Sequence, residues 1–545
     1  MVFDPYGAAQ PDRAIGEIVA AMRAGDYERA ASIANLVLAH GRHHPIVYNA
    51  RGLAHQQKGR HREALAEFMQ ARTLAPNDVN LQNAIGVCFV NLGQLQDALR
   101  AFDDAIALDP NNAQPYYRKG WTLELAGEAD KSTMYYERAV ALDPNHADAL
   151  GTLAASYASA GKIEEARAFA ERSLQINPGQ PTATVALGIV SLAEKDYAEA
   201  ERRFRAVMNP VSMTARGAAI LQGLLADALD GQNRVEEAFA AYGLEKAAIR
   251  ALHEARYRAF ERPGTTVDRI ASCVENAPPE TWSSAASGAL SPADRHVFLL
   301  GFARSGTTLL EQVLASHPGV AALEEQDLLV EAGQLFLADQ RGLDRLTAAD
   351  EAELDVYRDA YWQGVLRTGL DVRGKVFVDK LPMNTIKLPL IARLFPNARI
   401  VFALRDPRDV VQSCYRRHFE INPVNFEFLS LEDAASLYAA VMRLGAICRA
   451  KLPLAFLEHR YEDMISDFDN SAAAVCAFIG VEWSEALRDF HRKDTGLDVR
   501  SPSAAQIRRP LYDEGVGQWR RYREQLKPVL PVLEPWIGAF GYPRE

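Results

Sequence analysis

The chain has 545 residues, 48% of them hydrophobic, and carries 60 Lys and Arg against 71 Asp and Glu for a formal net charge of −11. That length exceeds one ordinary domain of roughly 150 residues, and the acidic balance excludes general nucleic-acid binding, which needs an excess of Lys and Arg to neutralise phosphates. The five cysteines, Cys88, Cys273, Cys414, Cys448 and Cys476, are scattered without metal-ligand spacing, so reduced thiols are expected rather than a disulfide framework or a metal site. With no basic-then-apolar leader and no apolar run of ~18 residues, a cytoplasmic chain without a membrane span is expected.

From residue 11 to 250 the sequence repeats. Gly52, Gly86, Gly120, Ala154 and Gly188 are spaced by 34 residues, as are Gly59, Gly93, Gly127 and Gly161, and Pro76, Pro110, Pro144 and Pro178. This is the tetratricopeptide period, and it predicts about seven helix pairs stacked as an all-α solenoid. In each unit a small residue of the first helix faces Ala64, Ala98, Ala166 or Ala200 of the second, with Phe68, Phe102 and Phe204 filling the gap and Ala170 as the exception. A later unit continues from Asp230 to Tyr242 after a four-residue slip. Tyr116, Tyr136 and Tyr157 are expected to pack rather than bind. The solenoid offers a groove for a peptide, or a surface for self-association. Periodicity fades over residues 251–290, where Pro263-Gly264 and Pro278-Pro279 punctuate the chain and a linker or docking segment is expected, with His253 to Phe260 as a short docking helix.

Chemistry concentrates in residues 291–545. Val297 to Leu300 predicts a buried strand that turns through Gly301-Phe302-Ala303-Arg304-Ser305-Gly306-Thr307-Thr308 into an apolar-periodic helix. Glycines let backbone approach an anion while helix N-terminal N–H groups and the helix dipole favour negative charge there. A nucleotide-triphosphatase loop would place a lysine after its last glycine; here Thr307 follows Gly306, and the cation is Arg304. Two further strands are predicted, Lys375 to Lys380 and Ala398 to Leu404, each followed by a helix, which indicates a parallel α/β sheet. Arg304, Lys380 and Arg405 then fall just past strand ends, where such sheets bind ligands. Between Arg373 and Phe419 ten Lys and Arg face three Asp and Glu, a basic island suited to a ligand with several phosphate-like groups.

The loop with Arg304 and the later Arg405-Asp-Pro-Arg-Asp-Val-Val-Gln-Ser413 resemble the paired signatures of sulfotransferases that use 3′-phosphoadenosine-5′-phosphosulfate (PAPS). The resemblance runs from about His296 to Tyr542 and is strongest to the tyrosylprotein sulfotransferase branch and its bacterial relatives fused to tetratricopeptide repeats. It implies a sulfotransferase fold in which Arg304, Ser305, Gly306, Thr307 and Thr308 hold the 5′-phosphosulfate. Arg405 and Ser413 would hold the 3′-phosphate, helped by Arg417, Tyr461, Ser503 and Arg508 or Arg509. The spacing from His317 to Glu324-Glu325 matches that branch too, implying Glu325 as catalytic base and Lys380 as the cation balancing charge on the sulfuryl group. The implied reaction needs no metal. Its expected acceptor is a hydroxyl on a peptide or protein, tyrosine first, recruited by the repeats; the alternatives are a carbohydrate, lipid or small-molecule hydroxyl with the repeats used for self-association. A P-loop kinase and an inactive repeat adaptor fit less well, because the Walker lysine is missing while Arg304, Lys380, Arg405, Ser413 and Glu325 are all present.

Overall fold

The computed structural model describes residues 11–208, 214–283, 291–491 and 515–545. The chain divides into two compact units, Met1–Asn209 and Pro210–Glu545.

The first unit is all-helical, its twelve described helices running in pairs from Pro11–Arg23 with Tyr27–Ala39 to Pro181–Ala193 with Tyr197–Val207. The repeat positions are explained by close approach. A Cβ added at Gly52 would lie 2.4 Å from the Phe68 ring, one at Gly86 2.5 Å from Phe102, and one at Gly188 2.3 Å from Phe204. The unit that breaks the pattern does so on both sides: Ala154 replaces the glycine and Ala170 the large residue, and the two pack in one apolar cluster. Turn glycines such as Gly93 sit at φ 74°, a left-handed conformation that costs a residue without Cβ little. Lys195 (φ 63°) and Asn233 (φ 61°) stand in the equivalent turns of the last two hairpins.

The second unit opens with the seventh hairpin, Ala215–Gly231 and Val235–Tyr257. The repeat pattern assigns this hairpin to the array, whereas the compact unit joins it to the α/β domain, for reasons its buried polar contacts supply below. Its second helix continues through His253 to Tyr257, so no separate helix spans His253 to Phe260. Within the expected linker, Pro263–Asn276 is a helix that buries Val267, Ile270, Ala271 and Val274. Residues 284–290 lie outside the described residues.

Among the described residues the sheet has five parallel strands in the order β2-β3-β1-β4-β5: β1 Arg295–Gly301, β2 Val320–Glu324, β3 Val376–Lys380, β4 Arg399–Leu404 and β5 Ala455–Arg460. The three central strands are those predicted, and β1, β3 and the inner length of β4 are buried, as strands covered on both faces must be. The two edges were not predicted. β2 is five residues with two alanines, and β5, AFLEHR, is mostly half-buried and ends in three polar residues, so neither carries a long β-branched run. Parallel register aligns Leu299 with Lys380 and Glu324 with Lys380, which brings the C-terminal ends of β1, β2 and β3 to one rim.

Candidate active site

The loop after β1 is held in a conformation most residues avoid. Arg304 has φ 69° and Gly306 φ 87°; a Cβ at Gly306 would also meet the Tyr461 ring at 2.5 Å. Thr385 pins the start of the loop, its hydroxyl donating to the Gly301 carbonyl at 2.7 Å and accepting from the Gly301 N–H at 3.1 Å. The helix Thr307–Ala315 follows directly, so its first N–H groups, which have no intrahelical carbonyl, face the loop mouth. Ser305, Thr307 and Thr308 are buried around it.

Beside the loop stands the rim after β4. Arg405 donates from Nη1 to the Arg304 carbonyl at 3.0 Å and from Nη2 to the Gly515 carbonyl, and its guanidinium lies 5.0 Å from the centroid of the Tyr461 ring. Its Nε is buried without a hydrogen-bond partner among the described residues. Ser413, on the helix Pro407–Arg416, accepts from Arg304 Nε at 3.1 Å. Residues expected at opposite ends of the donor are thus in contact. Arg417 caps this helix in extended conformation, with φ −83° and ψ 151°. Ser503, Arg508 and Arg509 lie outside the described residues. The remainder of the Arg405-Asp-Pro-Arg-Asp motif is structural. Arg408 is 1% exposed, chelates Asp406 and stacks 3.6 Å from the Trp519 ring centroid, while Asp409 accepts the Gly517 and Trp519 N–H groups at 2.7 Å each. Burial pushes the Asp409 carboxyl up to about 6.

Lys380 is fully buried rather than free at the rim, and three carboxylates surround its ammonium: Glu325 at 2.9 Å, Glu311 at 3.1 Å and Glu324 at 3.4 Å. Burial pulls the Lys380 pKa down, but Glu311, Glu325 and Glu324 together outweigh it and leave it raised. Glu325 is the exposed member, with 38% of its side chain accessible against 8% for Glu324 and none for Glu311. Its backbone has φ 42°, left-handed for a non-glycine residue, while its N–H donates to the Lys380 carbonyl at 2.8 Å. Such strain persists only where surrounding contacts enforce it, and it recurs at functional sites. Glu311 escaped the sequence reading. The signal was there, since a glutamate four residues after Thr307 and three before Leu314 sits on the face that turns inward.

The seventh hairpin reaches the same rim helix. Asp230 accepts from Arg416, from Arg521 Nη2 at 2.8 Å and from Tyr522 Oη at 2.5 Å. Arg416 also lies 5.6 and 5.3 Å from the ring centroids of Tyr242 and Tyr522. Lys246, 2% exposed, donates to the Arg417 carbonyl at 3.0 Å, and Glu245 lies 2.7 Å from His418 Nδ1. These buried polar partners make the hairpin part of the second unit.

A parallel sheet whose strand ends carry a left-handed glycine loop, a helix N-terminus and converging guanidinium groups makes an α/β domain with several hydrogen-bond donors gathered at one rim, an arrangement that can hold an anion. Residues 296–485 match the Sulfotransferase family, and tetratricopeptide repeat models match residues 16–79, 79–112, 101–133 and 123–187. The chain therefore carries a sulfotransferase-family domain behind an array of tetratricopeptide repeats. It is similar to an uncharacterized protein of Aquifex aeolicus, 27% identical over 45% of this chain and 33% of that one, so the match spans about a third of that relative's length. It is similar also to protein-tyrosine sulfotransferase 2 of Gallus gallus, 24% identical over 45% of this chain and 69% of the relative. A putative protein-tyrosine sulfotransferase of Caenorhabditis briggsae is 23% identical over 46% of this chain and 91% of its own length. The solved structure of MamA matches 30% of this chain and 90% of its own with 24% identity and a TM-score of 0.26. No helix among the described residues is long and apolar enough to cross a membrane.

Proposed function

We propose that the second unit transfers the sulfuryl group of PAPS to an acceptor hydroxyl, with tyrosine of a peptide or protein as the leading acceptor and residues 11–250 recruiting it. The observation that carries this reading is the pairing of an exposed carboxylate with a buried ammonium, Glu325 with Lys380 at 2.9 Å, beside a loop shaped for phosphate. The residues fit the donor: the Arg405 Nε, without a partner among the described residues, and the Gly306 cradle, which any Cβ would fill, suit phosphate oxygens. When bound, the donor supplies an activated S–O bond. Arg304, Ser305, Gly306, Thr307 and Thr308 would hold its 5′ end; Arg405, Ser413, Arg417 and Tyr461, with Ser503 and Arg508 or Arg509, its 3′-phosphate. Glu325 removes the acceptor proton as the acceptor oxygen bonds to sulfur, and it is suited to the task because it is the most exposed of the three carboxylates. Lys380 and Arg304 receive the negative charge left on the bisphosphate as the old S–O bond breaks. A cytoplasmic, metal-free enzyme is part of the same proposal. The test is calorimetry with 3′,5′-adenosine bisphosphate against 5′-AMP: the bisphosphate binds more tightly, and Arg405→Ala removes most of the difference, about 2 kcal/mol for a charge-assisted contact. Equal affinity for the two nucleotides in the unmodified protein defeats the reading.

A further inference from the structure

Glu311 has no part in the chemistry above, yet it touches the centre of the site. It projects from the second turn of the helix Thr307–Ala315, its side chain is 0% exposed, and its Oε2 lies 3.1 Å from Lys380 Nζ. Neither carboxyl oxygen has a hydrogen-bond partner among the described residues, so Oε2 meets the ammonium as an ion pair and Oε1 meets nothing polar. The charged groups acting on it are Lys380, Glu324 and Glu325. One ammonium cannot neutralise three carboxylates. Glu325 can spread its charge into water and Glu324 is partly accessible, whereas an ionised Glu311 would keep a charged oxygen buried and unpaired.

We propose that Glu311 is the positioning residue for Lys380: a neutral carboxyl that seats the ammonium at the end of β3 while leaving it free to turn from Glu325 towards the sulfuryl group. Burial supports this from a second side, since it pushes the Glu311 carboxyl up to about 8 against the pull of Lys380. At neutral pH the proton stays on Glu311 and Lys380 is held by the charges of Glu325 and Glu324 alone. Above about 8 the proton leaves, a second buried negative charge faces the ammonium, and Lys380 is drawn back from the donor. This assignment rests on the sulfotransfer reading.

The experiment uses the full chain, wild type and Glu311→Gln, with PAPS and 3′,5′-adenosine bisphosphate as separate calorimetric probes from pH 6.5 to 9.5. Glutamine copies the protonated carboxyl and cannot ionise. Wild type should lose roughly tenfold in PAPS affinity across the upper half of that range while bisphosphate affinity, which lacks the sulfuryl contact, changes less than about threefold; this corresponds to about 1.4 kcal/mol at the sulfuryl group. Glu311→Gln should hold its PAPS affinity flat, and the infrared absorption of buried protonated carboxylic acid at neutral pH should fall relative to wild type, the remainder coming from Asp379, whose fully buried carboxyl is pushed up to about 7. If Glu311→Gln follows the wild-type pH curve, or leaves the acid absorption undiminished, the proposal is overturned while bisphosphate binding still stands for the sulfotransfer reading. If wild type fails to prefer the bisphosphate over 5′-AMP, that reading falls and takes this one with it.

Discussion

Asp230→Ala tests whether the seventh hairpin is structurally part of the transferase unit. Asp230 is 7% exposed and holds three donors that come from elsewhere in the second unit, Arg416, Arg521 and Tyr522. The Arg416 side chain is 21% exposed, so stranding its charge costs about 3 kcal/mol, the low end for a broken buried pair. The Tyr522 hydroxyl adds about 1 kcal/mol. Arg521, with 31% of its side chain accessible, is screened by solvent and adds at most about 0.5 kcal/mol. The total of about 4 kcal/mol is a large share of a domain stability of about 5–15 kcal/mol. Two compact units need not unfold together, and the tryptophans separate them: Trp282, Trp362, Trp483, Trp519 and Trp536 lie beyond Pro210, with Trp121 alone before it. In urea, tryptophan fluorescence should therefore report a transition moved to much lower denaturant, while the loss of helical circular dichroism from the array keeps its midpoint. A fluorescence midpoint displaced by less than about 1 kcal/mol equivalent would refute the reasoning, because a solvated Asp230 would then be contributing nothing beyond an ordinary surface pair.

A chain begun at Leu252 lacks Asp230, Glu245 and Lys246 and should purify as unfolded or aggregated protein, whereas one begun at Pro210 should melt cooperatively and bind 3′,5′-adenosine bisphosphate; a well-folded Leu252 chain with full affinity contradicts this. Glu325→Gln should leave bisphosphate affinity near wild type and lower turnover of a tyrosine amide with PAPS by roughly 10²-fold, with Glu324→Gln milder in the same assay. Gly306→Val places a β-branched residue at φ 87° against the Tyr461 ring; it should abolish measurable bisphosphate binding and lower the melting temperature of the second unit, strain of about 1–3 kcal/mol being expected from the backbone alone. The pH dependence of stability should carry the mark of Glu311. Its folded carboxyl keeps a proton to about 8, whereas a free glutamate releases it near 4.5, so the folded state binds more protons in that window and wild type loses stability as pH rises through it. Melting temperatures of Glu311→Gln across the same range should fall less steeply than those of wild type.

Local spacing carried much of this protein. A 34-residue period of glycines and prolines is enough to specify helix pairs, because each unit's turn and its close helix approach are made by neighbours in sequence. The strand-loop-helix at Gly301 to Thr308 and the central strands β3 and β4 were equally legible, since a strand buried on both faces must be nearly all apolar and an anion loop must spell its glycines and its cation. β2 is buried but only five residues long with two alanines, β5 ends in Glu458, His459 and Arg460, and both are strands because β3 and β4 offer them hydrogen-bonding partners. Only the tertiary structure decided what surrounds Lys380. Glu311, Glu324 and Glu325 precede it by 69, 56 and 55 residues, and the parallel register of β2 on β3 brings the last two alongside it, with Glu311 reaching it from the helix Thr307–Ala315. Nor could the period tell that the seventh hairpin joins the second unit: its helices keep the repeat's own apolar spacing, while its allegiance is set by Asp230, Glu245 and Lys246, whose partners Arg416, Arg417 and His418 lie some 170 to 190 residues further along. Spacing records what a residue does for its own helix. Burying a charge depends on which distant partner satisfies it, and only the folded chain supplies that partner.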